Sequence, residues 1–200
     1  METVVDSLRG LDEALFIFLN GIHAPYLDGF MGIITARNTW IPFYLLLIFY
    51  IARSFPVKQA VIYVFYLIAA VGLADFITSG LMKPFFERPR PCHNEALASV
   101  VHLLEGHCGG KFGFASSHAA NSFALFGGLF FIFREKKLFI KLLLVWAILV
   151  SYSRIYVGVH YPGDVLVGSF IGFFISFTLY TFLKKHFNNK KPYEKNDSSI

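Results

Sequence analysis

From residue 38 onward the chain alternates long apolar runs with short polar links. A bilayer core about 30 Å thick takes roughly 20 mostly apolar helical residues, fewer where the bilayer thins or flanking side chains snorkel. Five segments fit: about residues 38–54, 58–82, 114–133, 138–154 and 163–183. The first and fourth are short, and the second is interrupted by Asp75. Residues 2–20 instead alternate acids with Val, Leu, Ile and Phe at helical spacing, which predicts an amphipathic helix lying in the membrane interface. The longest link, roughly 83–113, is rich in Pro, His, Gly and charge, and links of that length usually carry function. The expected fold class is all-α, an integral membrane bundle of about five transmembrane helices plus the N-terminal interfacial helix.

Composition narrows this picture. At 56% hydrophobic and 16% charged residues, with mean hydropathy +0.56, the chain is far more apolar than a soluble domain. No linker or repeat divides it, so residues 1–187 are expected to form one membrane-embedded domain, followed by a basic, disordered tail over 188–200 drawn to an anionic inner leaflet. The net charge of +5 does not point to nucleic acid, because Lys and Arg are scattered between apolar runs instead of forming one face. The segment METVVDSLRGLDEALF holds four acids and one base, so it lacks the basic start of a secretory signal, and nothing there looks cleaved.

Topology accounts for the cations. One face of the predicted bundle collects eleven of the eighteen: Arg53, Lys58, Arg134, Lys136, Lys137, Lys141, Lys184, Lys185, Lys190, Lys191 and Lys195. By the excess of cations in cytoplasmic loops, that face lies inside, and the long 83–113 link lies outside. A bacterial inner membrane with the functional site facing the periplasmic side is the expected location. Cys92 and Cys108 both fall in the outer link, where an oxidising compartment permits a disulfide. A metal site from Cys92, His93, His102, His107 and Cys108 competes, although its spacing matches no familiar zinc pattern, and two free thiols remain a third reading.

Three clusters carry candidate chemistry: KPFFERPRP at Lys83 to Pro91, ASSH at Ala115 to His118, and SRIYVGVHYPGD at Ser153 to Asp164. The first begins where the second span ends, the second opens the third span, and the third joins the fourth span to the fifth. Antiparallel neighbours put all four helix ends on one side of the membrane, bringing Lys83, Arg90 and Arg154 beside two histidines and a serine. Such a rim suits an anion, since three cations offset a phosphate and Arg grips its oxygens bidentately. The start of the third span adds backbone N–H groups and a positive helix end, with Ser116 able to donate a hydroxyl.

Histidine can act as nucleophile or acid near neutral pH. His160 and Asp164 are four residues apart, and with Pro162 opening the fifth span the carboxylate lies about one turn from the imidazole. It could accept the Nδ1–H, leaving Nε2 free to attack phosphorus while His118 protonates the leaving oxygen. No metal or other cofactor is required by this scheme.

These clusters resemble the three signature motifs of the type 2 phosphatidic acid phosphatase superfamily. Its first motif, Lys, six residues, then Arg-Pro, is matched by Lys83, Arg90 and Pro91. Its second, Pro-Ser-Gly-His, is met by Ser116 and His118, with Ala115 and Ser117 where Pro and Gly are usual; Ser117 puts a Cβ where the backbone is normally bare. Its third, Ser-Arg, five residues, His, three residues, Asp, is matched by Ser153, Arg154, His160 and Asp164. The resemblance covers about residues 38–184. It implies a helical membrane bundle acting on lipid phosphates or diphosphates through a phosphohistidine, with His160, His118 and Asp164 catalytic and Lys83, Arg90, Ser116, Ser117 and Arg154 binding phosphate.

Blander readings stand beside this one. Any single cation at a helix end reads equally well as interfacial snorkelling, and only the joint pattern argues for a site. Arg88 lies outside the family pattern, and pairing with Glu87 competes with ligand contact. His93, His102 and His107 read as loop residues. Asp75, about 12 Å deeper than Lys83 along a helix, is expected to be hydrogen-bonded within the bundle, a proton pathway being the sharper alternative. A small anion or lipid transporter is the competing function, disfavoured because the cations sit at one rim and no repeat is visible. A vanadium-dependent haloperoxidase, which shares the phosphate-site motifs, is disfavoured by the five spans.

Overall fold

The computed structural model describes residues 2–106 and 108–188, and every described regular element is helical. The helices are α1 (Glu2–Asn20), α2 (Pro25–Thr35), α3 (Ile41–Ser54), α4 (Val57–Asp75), α5 (Lys83–Phe86), α6 (Ser117–Phe133), α7 (Lys137–Tyr156) and α8 (Pro162–Asn188). The tail expected over 188–200 falls, apart from Asn188, outside the described residues, as does His107.

Three continuous helical stretches are long and apolar enough to cross a membrane: Val57–Phe86, Lys137–Tyr156 and Pro162–Lys185. A fourth candidate is broken, since Pro25–Thr35 and Arg37–Ser54 pass only as a pair bent by 66°. The run expected at 38–54 is therefore the second half of a longer bent unit. Its first half, α2, escaped notice because Asp28, Gly29 and Gly32 dilute the apolar pattern of an 11-residue helix. The chain turns at Ala36, which is extended, and Pro42 restarts the helix in its first turn, where a missing N–H costs nothing. Trp40 pins the corner, donating Nε1–H to the Ile34 carbonyl at 2.9 Å and meeting Trp146 edge to face. The expected span at 114–133 forms as α6, a 17-residue helix shorter than the others.

Helix α6 sits at the centre, packed between α4, α7 and α8. Its contact with α8 is made by small residues: a Cβ at Gly168 would lie 2.4 Å from the Ser116 carbonyl oxygen, and one at Gly172 would lie 2.0 Å from that of Ala120. Ala119, Ala120 and Ala124 complete a seam in which backbones approach closely, the usual substitute for a hydrophobic drive between membrane helices. A hydrogen bond spans it, Ser176 Oγ donating to Ala124 O at 2.5 Å, and Tyr66 Oη of α4 donates to Ser176 O at 2.8 Å. Large apolar side chains such as Leu46, Phe65, Leu142, Leu166 and Phe170 face outward.

Helix α1 docks across the end of α7. Asn20 is buried, and its amide donates to the carbonyls of His102, Ile155 and Tyr156 while its oxygen accepts the His102 N–H. Phe16 is fully buried with its ring 5.4 Å from Tyr161. The long link is cross-braced by a Cys92–Cys108 disulfide with the Cα atoms 5.8 Å apart, so neither sulfur is available as a zinc ligand. His102 joins Asp28 at 2.9 Å and stacks on His23. Gly158 is the one glycine whose conformation is decisive here: its φ is +79°, and a Cβ would meet the His102 carbonyl at 2.6 Å.

Candidate functional site

The helix ends that sequence spacing placed on one side do converge. They enclose a cavity of about 610 Å³ lined by Lys83, Arg90, Ser117, His118, Arg154 and His160, together with Arg37, Ser79 and Thr35. Among the described residues no carboxylate lines it. Ser116 and Asp164 lie behind the wall. Ser116 is the N-cap of α6, its Oγ accepting from Ala119 N at 3.5 Å and its N–H donating to the Asp164 carbonyl at 2.9 Å. The cap uses the acceptor side of the Ser116 hydroxyl, and Ser116 is not among the residues that line the cavity.

Lys83 reaches the cavity because the helix widens just before it. Residues Phe76–Met82 form a π-helical turn between α4 and α5, and such turns shift the register of the side chains they carry. Lys83 Nζ donates to Ser117 Oγ at 2.8 Å and approaches Ser79 Oγ at 3.5 Å, while the two serine hydroxyls bond at 2.6 Å. The Ser117 Cβ, where the motif usually has glycine, thus carries a hydroxyl that fixes the lysine.

Arg90 is held by the long link: its N–H donates to the Lys111 carbonyl and its Nε to the Phe112 carbonyl, both at 3.2 Å. Burial pushes its pKa down, and Asp164 offsets part of that. Arg154, at the end of α7, donates from Nη1 to Thr35 Oγ1 at 2.5 Å, while its Nε is buried without a partner among the described residues. An orphaned donor on a buried guanidinium is costly unless an acceptor occupies the cavity.

The nucleophile candidate is locked from behind. His160 Nδ1 stands 3.3 Å from Asp164 Oδ2, which also accepts the Tyr161 N–H at 3.0 Å. The other carboxylate oxygen takes Arg88 Nη1 at 2.8 Å, and Arg88 Nη2 reaches Asp12 Oδ2 at 2.7 Å. Asp12 Oδ1 in turn accepts the Gly163 N–H at 2.7 Å, closing a network between α1 and the start of α8. Arg88 therefore pairs with Asp12 and Asp164, and its place is behind His160. Burial lowers the His160 pKa well below the usual histidine value, reinforced by the charges of Arg90, Arg154 and Lys83. The ring is neutral, as a nucleophile must be. Gly113 lets the link pass close by, since a Cβ there would lie 3.1 Å from Asp164 Oδ2 and 3.6 Å from His160 Nδ1.

A second cavity of about 640 Å³ opens beside the first and shares Thr35, Arg37 and His118 with it. Its other walls are mostly apolar, including Leu47, Ile51, Leu67, Val71, Leu125 and Val150. Asp75 lines this chamber and accepts a hydrogen bond from Asn121 Nδ2 at 3.1 Å. Sequence reasoning missed Thr35, Arg37, Ser79 and Asp12. Only Arg37 carried a signal, as a cation at the start of a predicted span, and that position also fits plain snorkelling.

Known proteins resemble this chain in sequence and fold. The family model described as PAP2 superfamily matches residues 59–188. A lipid A 4'-phosphatase of Bacteroides thetaiotaomicron is 38% identical over 178 residues, covering 88% of this chain and 79% of that protein. The undecaprenyl-diphosphatase BcrC of Bacillus subtilis is 27% identical, covering 86% and 84%. The crystal structure of a transmembrane PAP2-type phosphatidylglycerolphosphate phosphatase from Bacillus subtilis superposes with a TM-score of 0.65 at 25% identity, covering 90% of this chain and 87% of that one. With a family model spanning more than half its length and a close relative aligned over most of both chains, this chain belongs to the PAP2 superfamily.

Proposed function

We propose that this protein is an integral membrane lipid phosphatase, a metal-independent hydrolase that removes the terminal phosphate of a lipid phosphomonoester or diphosphate. The observation that carries the reading is the cavity wall: Lys83, Arg90 and Arg154 face one space with two imidazoles and no opposing carboxylate. A dianionic phosphoryl group complements that wall, and the unpartnered Arg154 Nε is available to one of its oxygens. Lys83, Arg90, Ser117 and Arg154 bind the phosphoryl oxygens, with the α6 N-terminus adding its dipole.

In the first step His160 Nε2 forms a bond to phosphorus as the bond to the lipid oxygen breaks, and His118 gives that oxygen its proton. Asp164 holds the Nδ1–H and stabilises the charge that develops on the ring. In the second step a water attacks the phosphohistidine, passing a proton to His118, and the N–P bond breaks to release inorganic phosphate. Fixed cations stabilise the transition-state charge.

The adjoining chamber takes the lipid portion, because His118, which protonates the leaving oxygen, is shared by both cavities whereas His160 lines only the polar one. Five membrane crossings, counting the bent α2–α3 unit and the short α6, with α1 in the interface, support entry of the lipid from the bilayer side. The outward Val4, Val5, Leu8 and Leu11 of α1 suit that placement. The cations at and beside the α3–α4 and α6–α7 links, such as Arg53, Lys58, Arg134 and Lys136, and those of the α8 end lie opposite the site, which supports an inner-membrane protein with its site facing the periplasm. The substrate candidates are a polyprenyl diphosphate, phosphatidylglycerol phosphate, phosphatidic acid and a lipid A phosphate.

A phosphate-release screen of purified protein across those lipid classes in detergent micelles tests the reading. Release from at least one class, retained in EDTA, is the expected result. Tight binding of all of them with no release would favour a transporter instead.

A further inference from the structure

The two ends of the cavity differ in how their charges are satisfied. Lys83 is bonded to serines, Arg90 to a backbone carbonyl and Arg154 to Thr35. The Arg37 side chain has no hydrogen bond or ion pair among the described residues, yet Arg37 lines both the polar cavity and the apolar chamber. It shares the walls of both cavities with His118 and the wall of the polar one with Arg154. Its position is fixed from below, since the turn Arg37–Trp40 is pinned by Trp40 on Ile34 and Trp146.

This cation lies on the leaving side. In-line displacement puts the attacking His160 and the leaving oxygen on opposite faces of phosphorus, and the leaving oxygen is the one His118 protonates. A lipid monoester leaves as a neutral alcohol, which has no use for a guanidinium. A lipid diphosphate leaves as a lipid monophosphate, whose anionic group would sit between His118 and the chamber mouth, where Arg37 stands. We infer that Arg37 forms a second anion subsite, which binds the non-scissile phosphate of a lipid diphosphate and makes this protein prefer diphosphates over monophosphates of the same chain. The inference rests on the phosphatase reading for its direction, but the subsite itself can be tested by binding.

The probes are farnesyl methylenediphosphonate and farnesyl phosphonate, two non-hydrolysable ligands that share a chain and differ by one anionic group. Their affinities for the wild-type protein in detergent are compared by calorimetry with those for Arg37→Gln and Arg37→Lys. The wild type is expected to bind the diphosphonate more tightly; Arg37→Gln should shrink that ratio by about tenfold or more, and Arg37→Lys should restore part of it. Because Arg37 is exposed and its side chain makes no hydrogen bond among the described residues, its replacement does not threaten folding, and the monophosphonate affinity reports an intact phosphoryl site. An unchanged ratio, an equal loss for both ligands, or no wild-type preference would overturn the subsite. Phosphate release from farnesyl diphosphate, measured in parallel, separates the two ideas. A ratio that falls in Arg37→Gln without wild-type turnover of this lipid or of any class in the phosphate-release screen would sink the phosphatase and leave the subsite standing.

Discussion

The two sides of this cavity, which the proposed mechanism gives to the nucleophile and to the leaving group, are built on opposite plans. Behind His160, Asp164, Arg88, Asp12 and Gly163 form a closed chain of hydrogen bonds, with His160 and Asp164 almost fully buried. On the other side His118 and Arg37 line the junction of two cavities, and neither makes a side-chain hydrogen bond among the described residues. A nucleophile gains from being held in one tautomer and one orientation before substrate arrives. A proton donor that serves varied lipid leaving groups gains from being completed by the substrate itself. The contrast suits an enzyme with fixed phosphoryl chemistry and adaptable lipid recognition.

The sharpest way to break the contrast is to remove each histidine. His160→Ala should lower turnover by on the order of 10,000-fold or more with every substrate. His118→Ala should cost about 100- to 10,000-fold with a lipid alcohol but far less with nitrophenyl phosphate, whose leaving group needs no proton. Steady-state kinetics with the two substrate types checks both, and equal losses for nitrophenyl phosphate would remove the division of labour.

Loosening the lock is the next largest effect. Arg88→Ala leaves Asp164 and Asp12 without their shared partner and should reduce kcat on the order of 100-fold with little change in KM, because misorientation of the nucleophile is a transition-state loss. Asp12→Asn keeps the shape but weakens the ion pair, with an expected loss of about tenfold. A rise in KM at constant kcat would instead assign Arg88 to substrate binding.

Protonation should separate the sides as well. His160 has a pKa in the fold below that of the unfolded chain, so between those values the unfolded state binds the extra proton. The stability it contributes is full above the unfolded histidine value of about 6.5 and is lost as pH falls from there towards the folded value. Thermal melts in detergent from neutral to acid pH should therefore show a steeper loss for the wild type than for His160→Ala. Parallel slopes would contradict a buried neutral imidazole. The smallest effect on activity is expected from Cys92→Ser with Cys108→Ser: opening a loop of 16 residues costs about 3 kcal/mol of stability, read as a lower Tm, while kcat stays within about threefold.

What was legible in the sequence follows the same division. Lys83, Arg90, Ser117, His118, Arg154 and His160 stand at fixed spacings beside the ends of apolar runs, and antiparallel packing leaves those ends one place to meet. The pairing of Asp164 with His160 is local, four residues along a helix start. Ser116 was less legible, because a serine before a helix can cap it, face a ligand or do both, and its burial behind the cavity wall depends on the α6–α8 packing. Thr35 and Asp12 were invisible because their partners lie 119 and 151 residues away, at Arg154 and Gly163. The bend after α2 was hidden for a related reason: two short apolar pieces with a corner have no periodicity long enough to read.

The central claim is that His160 takes the phosphoryl group while His118 only moves protons. The most direct measurement is an alkaline quench of His118→Ala reacting with nitrophenyl phosphate, followed by peptide mass spectrometry. The account predicts a phosphoryl adduct on His160 that disappears in the doubly substituted His118→Ala, His160→Ala protein. An adduct on any other residue, or one that persists without His160, would contradict it.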